Sequence, residues 1–191
     1  MKYQEGLREG IGQVRQIGPE VFAMPMWSAD YCKYVIKRVE EEQAFHRGQG
    51  YAGIGEHGAI KTTDVKLNRL RDVHAGYLRT YNNLLAKIIK KIWLVGVDPS
   101  DAFVTRYTMS SQTRLLRHID QSSIVSMTLK LNDDYEGGEL SFPRQNLTNK
   151  DVPIGDMVFF PSGCTHVHEV LPLISGKRYA ITFWTKPHVP A

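Results

Sequence analysis

"THVHEVLPLISGKRYAITFW", residues 165–184, sets a pair of histidines ahead of a strand-forming run. Its second half is dense in β-branched and aromatic residues, which predicts a strand beginning on Arg178. Its first half places two histidines two positions apart. In an extended chain side chains alternate, so His166 and His168 point to one face. A cation at the start of an otherwise apolar strand, beside two histidines on another, is the texture of a site inside a β-structure.

The same texture runs outward in both directions. "AFVTRYTM", "RLLRHID", "SSIVSMTLKLN", "GGELSFP", "DMVFFPS" and "CTHVHEV" are short and rich in strand formers, and Gly, Pro, Asn and Asp punctuate them. Seven or eight such strands in succession from Val97 predict a β-sandwich or jelly roll, and two such sheets enclose a pocket. "EGG" at 136–138 predicts a tight turn with positive-φ positions. The first 96 residues predict a helical support layer. "EVFAMPMW" (20–27) has strand spacing. Ser28 is placed to N-cap a helix through "ADYCKYVIKRVEEEQAF". "HRGQGYAGIGEHGAIKTT" (46–63) carries five glycines and predicts a long loop or lid, with at most short strands. In 72–93, Tyr77, Tyr81, Leu84, Leu85, Ile88 and Ile92 form one helical stripe, and lysines crowd the C-terminal end, where they suit the helix dipole. The expected class is α+β, a double-stranded β-helix with N-terminal supporting helices, in one domain of residues 1–191.

Bulk properties narrow the function. The 191 residues carry a net charge of +4, with 42% hydrophobic and 23% charged residues, as in an ordinary globular protein. No basic run or basic-aromatic array argues for nucleic acid. No segment reaches eighteen apolar residues, so no membrane span is expected. The charged start MKYQEGLREG lacks an apolar signal region, and Cys32 and Cys164 are far apart. Both point to reduced thiols in a cytoplasmic setting.

The chemistry begins at "RHID". On a strand, His118 and Asp120 share a face with Cα atoms roughly 6–7 Å apart, close enough for both side chains to reach one ion. Alone, a His-x-Asp is a weak signal. A second histidine would complete a 2-His-1-carboxylate triad, the ligand set of non-haem Fe(II) oxygenases, and His166 and His168 are the candidates. A dicarboxylate chelating the iron through its keto-acid end would leave its far carboxylate buried. That charge requires a cation, and arginine's planar fork suits it best. Arg178 is the candidate.

These residues together resemble the 2-oxoglutarate/Fe(II) oxygenases of the prolyl 4-hydroxylase type. "VTRYTMSSQTRLLRHID", "LNDDYEGGELSF", "MVFFPSGCTHVHEVLP" and "SGKRYAITFW" occur in that family's order and spacing. The likeness is greatest to the catalytic domain of collagen lysyl hydroxylases, and "RYAIT-x-W" is similar to oxygen-sensing prolyl hydroxylases. The resemblance covers about residues 97–187. It implies that His118, Asp120 and His168 bind Fe(II), the distal ligand being the histidine followed by Glu and ten residues before the basic residue. It also implies that Arg178 holds the far carboxylate of 2-oxoglutarate, aided by Tyr107 and Thr182, with ascorbate as an auxiliary reductant. His166 is then a wall residue near the metal rather than a ligand. Trp184, Asp133 and Asp134 are further residues expected to bear on the metal site or the substrate, the two aspartates as partners for a lysine ammonium. Asp120 in place of Gly or Ala argues for hydroxylation over halogenation.

The resemblance implies hydroxylation of a lysyl or prolyl residue in a peptide, using O₂ and releasing succinate and CO₂. Hydroxylation of a free amino acid or other small metabolite shares the same metal site. A non-catalytic binding protein on the fold is disfavoured by the complete ligand set and the intact Arg178.

Overall fold

The structure is a computed structural model; it describes residues 1–55 and 58–189, and side chains outside 46–60. A one-turn helix α1 (Tyr3–Gly6) leads into strands β1 (Arg15–Gly18) and β2 (Val21–Pro25) and helix α2 (Ala29–Glu41). Next come β3 (His46–Gly55), β4 (Gly58–Lys66), helix α3 (Arg71–Thr80), a π turn (Tyr81–Leu85) and α4 (Ala86–Trp93). The remaining strands are β5 (Val97–Thr108), β6 (Leu115–Ile119), β7 (Val125–Lys130), β8 (Tyr135–Gly137), β9 (Leu140–Phe142), β10 (Leu147–Thr148), β11 (Asp156–Pro161), β12 (His168–Val170) and β13 (Leu173–Pro187).

The strands form one hydrogen-bonded ribbon in the order β1-β2-β11-β7-β13-β5-β4-β3-β6-β12-β9-β10, with β8 paired to β13. The ribbon folds back on itself as a jelly roll. Its two ends come together where Gly18 of β1 lies against Leu147 of β10; a Cβ on Gly18 would sit 2.8 Å from a Leu147 methyl.

Strand alternation decides what each layer buries. On β13, Tyr179, Ile181 and Phe183 face the helices, while Arg178, Ala180, Thr182 and Trp184 face the space between the sheets. On β11, Met157 and Phe159 pack on the helix side and Val158 and Phe160 on the inner side. Phe183 stacks on Tyr77 of α3 with ring centroids 4.3 Å apart. Each such large side chain removed from water stabilises the fold by roughly 1.5–3 kcal/mol. The helix layer thereby holds the sheet from behind and leaves its inner face for the site.

Ser28 caps α2 as the sequence predicts, its hydroxyl accepting from the Tyr31 N–H at 3.2 Å. The stripe predicted for 72–93 shifts part-way. Tyr77, Tyr81, Leu85 and Ile89 are buried, whereas Ile88 and Ile92 are only partly so. The π turn is the cause: it widens one turn and rotates the following helix, so the buried positions step by four residues. The turn at "EGG" forms as expected, with φ 72° at Gly137 and 70° at Gly138.

The segment 46–63 departs from the loop reading. Its backbone forms β3 and β4, which pair with each other, β4 with β5 and β3 with β6. Glycine weakens a strand intrinsically, but ladder hydrogen bonds on both flanks hold this one in the sheet. The lid expectation for 46–63 falls on residues 56–57 and the side chains of 46–60, which lie outside the described residues. Among the described residues no helix is long and apolar enough to cross a membrane. Cys32 is buried, Cys164 is exposed, and both are free thiols.

Candidate metal and cosubstrate site

β6 and β12 run antiparallel, with His118 directly opposite His168. Asp120 lies just past the end of β6, where its N–H donates to the Ser162 carbonyl at 3.2 Å. The three side chains converge: His118 Nε2 is 3.7 Å from Asp120 Oδ1 and His168 Nε2 is 3.6 Å from Asp120 Oδ2. All their ligand atoms lie within 4.8 Å of one another, and all three residues are buried.

The hydrogen bonds fix which nitrogens face inward. His118 Nδ1 donates to the Leu116 carbonyl at 2.7 Å, and His168 Nδ1 donates to the His166 carbonyl at 2.9 Å. With the protons held on Nδ1, both Nε2 lone pairs point at the carboxylate. Burial, chiefly, pushes both imidazoles down to about 4, with His168 adding to the shift at His118. Burial lifts the Asp120 carboxyl to about 6. At neutral pH these contacts are therefore not ion pairs. Two lone pairs and a carboxylate face one another with no proton between them, an arrangement that a divalent cation resolves.

The Asp120 carboxylate is itself held. Ser126 Oγ donates to Oδ2 at 2.5 Å, the Ser126 and Ser162 hydroxyls lie 2.7 Å apart, and a Trp184 hydrogen bond opposes the rise in the Asp120 pKa.

The same cavity between the sheets is lined by Arg178, Tyr107, Thr182 and Trp184 as well as the triad. Arg178 is only 3% exposed, and its guanidinium carbon stands 4.9 Å from the centre of the Tyr107 ring. Among the described residues no carboxylate pairs with it, and its Nε has no partner. A buried guanidinium without a counter-anion is costly, so the cavity suits an anionic ligand. Burial raises the Tyr107 and Tyr135 phenols, and the charge of Arg178 opposes both shifts, which places Tyr135 beside the same cation. Gly138 makes room for the arginine: a Cβ there would stand 3.1 Å from Arg178 Cδ.

Residues 102–186 match the sequence profile of the 2OG-Fe(II) oxygenase superfamily. That stretch, which carries the His-Asp-His cluster and Arg178, is similar in sequence to the 2OG-Fe(II) oxygenases. It is 28% identical over 191 residues to human multifunctional procollagen lysine hydroxylase and glycosyltransferase LH3, and 27% identical over 187 residues to the Caenorhabditis elegans protein of that type. These matches cover 94% and 91% of this chain but only 25% of each relative, so the chain spans about a quarter of their length. Its fold is similar to a Trichoplax adhaerens prolyl hydroxylase solved with a hypoxia-inducible-factor peptide, with a TM-score of 0.67 and 19% identity over 88% of this chain and 84% of that one. It is also similar to the collagen prolyl hydroxylase of Paramecium bursaria Chlorella virus-1, with a TM-score of 0.65 and 16% identity over 95% of both chains.

Within the jelly roll, the structure gathers His118, Asp120, His168, Arg178, Tyr107, Thr182 and Trp184 around one cavity. It sets His166 apart. Cys164–His166 is a 3₁₀ turn rather than an extended run, so the alternation that would have aligned the two histidines does not operate. The His166 ring is buried, contacting Thr165 Oγ1 at 3.0 Å and the Pro19 carbonyl at 3.1 Å. It serves the site through its backbone carbonyl, which fixes His168. Asp133 and Asp134 are exposed and line surface depressions outside this cavity. The side chains the sequence reading missed are Ser126, Ser162 and Tyr135. Of the three, only Ser126 sits in a patterned stretch, "SMTLK", where Ser126, Thr128 and Lys130 interleave with Met127 and Leu129, and that alternation does not tell an inner polar face from an outer one.

Proposed function

We propose that the chain is a 2-oxoglutarate- and Fe(II)-dependent dioxygenase that hydroxylates a lysyl or prolyl residue in a peptide, with release of succinate and CO₂. The observation that carries this reading is the buried His118–Asp120–His168 cluster sharing one cavity with Arg178, a buried guanidinium that has no carboxylate partner among the described residues. The donor set fits Fe(II), because two neutral imidazole nitrogens and one carboxylate match the facial triad. When bound, iron and 2-oxoglutarate together supply the oxidising chemistry that inserts one oxygen atom of O₂ into a C–H bond.

The chain supplies binding and orientation. His118, Asp120 and His168 hold the metal, and the Leu116 and His166 carbonyls hold the rings at the correct tautomer. Arg178 pairs the far carboxylate of the cosubstrate, with Tyr107 and Thr182 beside it. Phe103, Leu115, Leu140 and Val170 wall the cavity and exclude water. The names of the relatives support a residue within a peptide as the target. The two free cysteines support a reducing, cytoplasmic setting, and the pairing of β2 and β4 with core strands supports one domain over residues 1–191.

The test is succinate release from 2-oxoglutarate with Fe(II) and ascorbate over panels of lysyl peptides, prolyl peptides and free amino acids, read by mass spectrometry for one added oxygen. Turnover of peptides supports the reading. Turnover of free amino acids alone moves the target to a small metabolite, and no succinate with any member overturns the dioxygenase assignment.

A further inference from the structure

Asp120 is gripped by the chain at more points than a carboxylate needs merely to stay buried. Its Oδ2 accepts the Ser126 hydroxyl at 2.5 Å, and Ser126 in turn lies 2.7 Å from the Ser162 hydroxyl. Ser162 also takes the Asp120 N–H on its carbonyl at 3.2 Å, while its own N–H donates to the Ile124 carbonyl at 3.0 Å. Ser126 is 1% exposed and Ser162 is fully buried. The two serines belong to different regions of the ribbon: Ser126 lies on the inner face of β7, and Ser162 directly follows β11. Two buried hydroxyls require partners, and the chain Ser162–Ser126–Asp120 supplies them. Ser126 thus grips Oδ2, the oxygen 3.6 Å from His168 Nε2, while Oδ1 lies 3.7 Å from His118 Nε2.

We propose that Ser126 and Ser162 are positioning residues that fix the rotation of the Asp120 carboxylate toward the metal site. Ser126 holds Oδ2 with a charge-assisted hydrogen bond, which keeps Oδ1 on the side of His118 and Oδ2 on the side of His168. Ser162 sets the direction of the Ser126 hydroxyl and locks the backbone from which Asp120 projects. This inference rests on the proposed metal site. The serine pair would govern how tightly the metal is held, acting through Asp120 rather than as a ligand itself.

The experiment is a titration of the apo-protein with Co(II) under anaerobic conditions, following the visible d–d band, alongside Fe(II) affinity by competition with a chelator. Removing an outer partner of a metal ligand typically costs about 10–100-fold in metal affinity. Ser126→Ala is expected to weaken Co(II) and Fe(II) binding at least tenfold and to shift the Co(II) band, as the freed carboxylate rotates. Ser126→Thr, which keeps the hydroxyl, is expected to return affinity and spectrum close to wild type, and Ser162→Ala to give a smaller loss. At saturating iron the KM for 2-oxoglutarate should stay unchanged, since Arg178 is untouched. Unfolding curves of each apo-variant separate metal loss from misfolding; should Ser126→Ala fail to fold, Ser126→Thr against Ser162→Ala carries the comparison. Wild-type affinity and an unshifted band in Ser126→Ala, or in Ser162→Ala where that comparison stands in, overturn the proposal while leaving the metal site intact. Failure of the wild-type protein to bind Co(II) or Fe(II) overturns the metal site itself.

Discussion

His118 stands directly across from His168 in the antiparallel register of β6 and β12, with ring centroids 4.4 Å apart. Cross-strand neighbours are the closest side-chain pairs a sheet provides, so two imidazoles far apart in sequence meet without help from a loop. Register, rather than local sequence spacing, selects His168 over His166.

The first prediction separates those two histidines. His168→Ala should abolish the visible charge-transfer band formed anaerobically with Fe(II) and 2-oxoglutarate, and His118→Ala and Asp120→Ala should do the same. His166→Ala should keep the band, because its ring contacts Thr165 and Pro19 rather than the cavity. It should still lower thermal stability, by about 1–3 kcal/mol for the buried partners left unsatisfied. A band lost in His166→Ala and kept in His168→Ala would reverse the assignment.

Arg178→Ala should raise the KM for 2-oxoglutarate more than tenfold while leaving Fe(II) affinity nearly unchanged. Truncating one partner of a buried charge pair costs about 2–5 kcal/mol. Arg178→Lys should recover only part of this, since one ammonium does not reproduce the bidentate fork that sits over Tyr107. Initial-rate measurements across cosubstrate concentrations check it, and an unaltered KM in Arg178→Ala would place the carboxylate elsewhere.

How much of this was legible in the sequence follows from where each determinant lies. His118, Asp120 and Arg178 could be read because short strands impose alternation over two to four residues. Ser126 and Ser162 could not be singled out: inside a jelly roll the inner face is polar at the site, and its alternation looks the same as a face turned to water. β3 and β4 escaped because their strand character comes from partners in β5 and β6, not from their glycine-rich sequence. The placement of His166 was hidden by a single 3₁₀ turn, and the shifted helical stripe by a single π turn.

Asp133→Asn and Asp134→Asn should leave turnover on any peptide within about twofold of wild type. Both carboxylates are exposed and outside the cavity that holds the triad, and an exposed charge pair contributes only about 0.2–1 kcal/mol. A larger rise in peptide KM for either variant would show that the bound peptide reaches the β7–β8 turn.

Gly155 is the most constrained glycine next to the sheet. Its φ is 78°, and a Cβ would fall 1.9 Å from the Trp27 carbonyl oxygen. That carbonyl belongs to the backbone and cannot rotate away. Gly155→Ala should cost roughly 3 kcal/mol or more, combining left-handed strain with overpacking. For a chain of this length that is a drop of about 6–12 °C in Tm, measurable by calorimetry of the apo-protein. An unchanged Tm would mean that the β11 edge does not pack against the Trp27 carbonyl in solution.

The last prediction is the pH dependence of metal affinity. In the free protein burial holds the Asp120 carboxyl at about 6 and both imidazoles at about 4. Above about pH 6 the carboxylate is ionised and the imidazoles are neutral, so metal binding displaces no proton and affinity should be flat. As pH falls through 6, the folded protein gains a proton on Asp120 that the metal must displace. Affinity should then fall about tenfold per pH unit, because each displaced proton adds one unit of slope. The fall should steepen only near pH 4, where the imidazoles begin to charge. Imidazoles at their ordinary value near 6.5 would instead give a break there with a slope of about two. Competition titrations with Mn(II) between pH 4.5 and 7.5 distinguish the two outcomes, and the two-proton break would show that the histidines are more solvated than their burial implies.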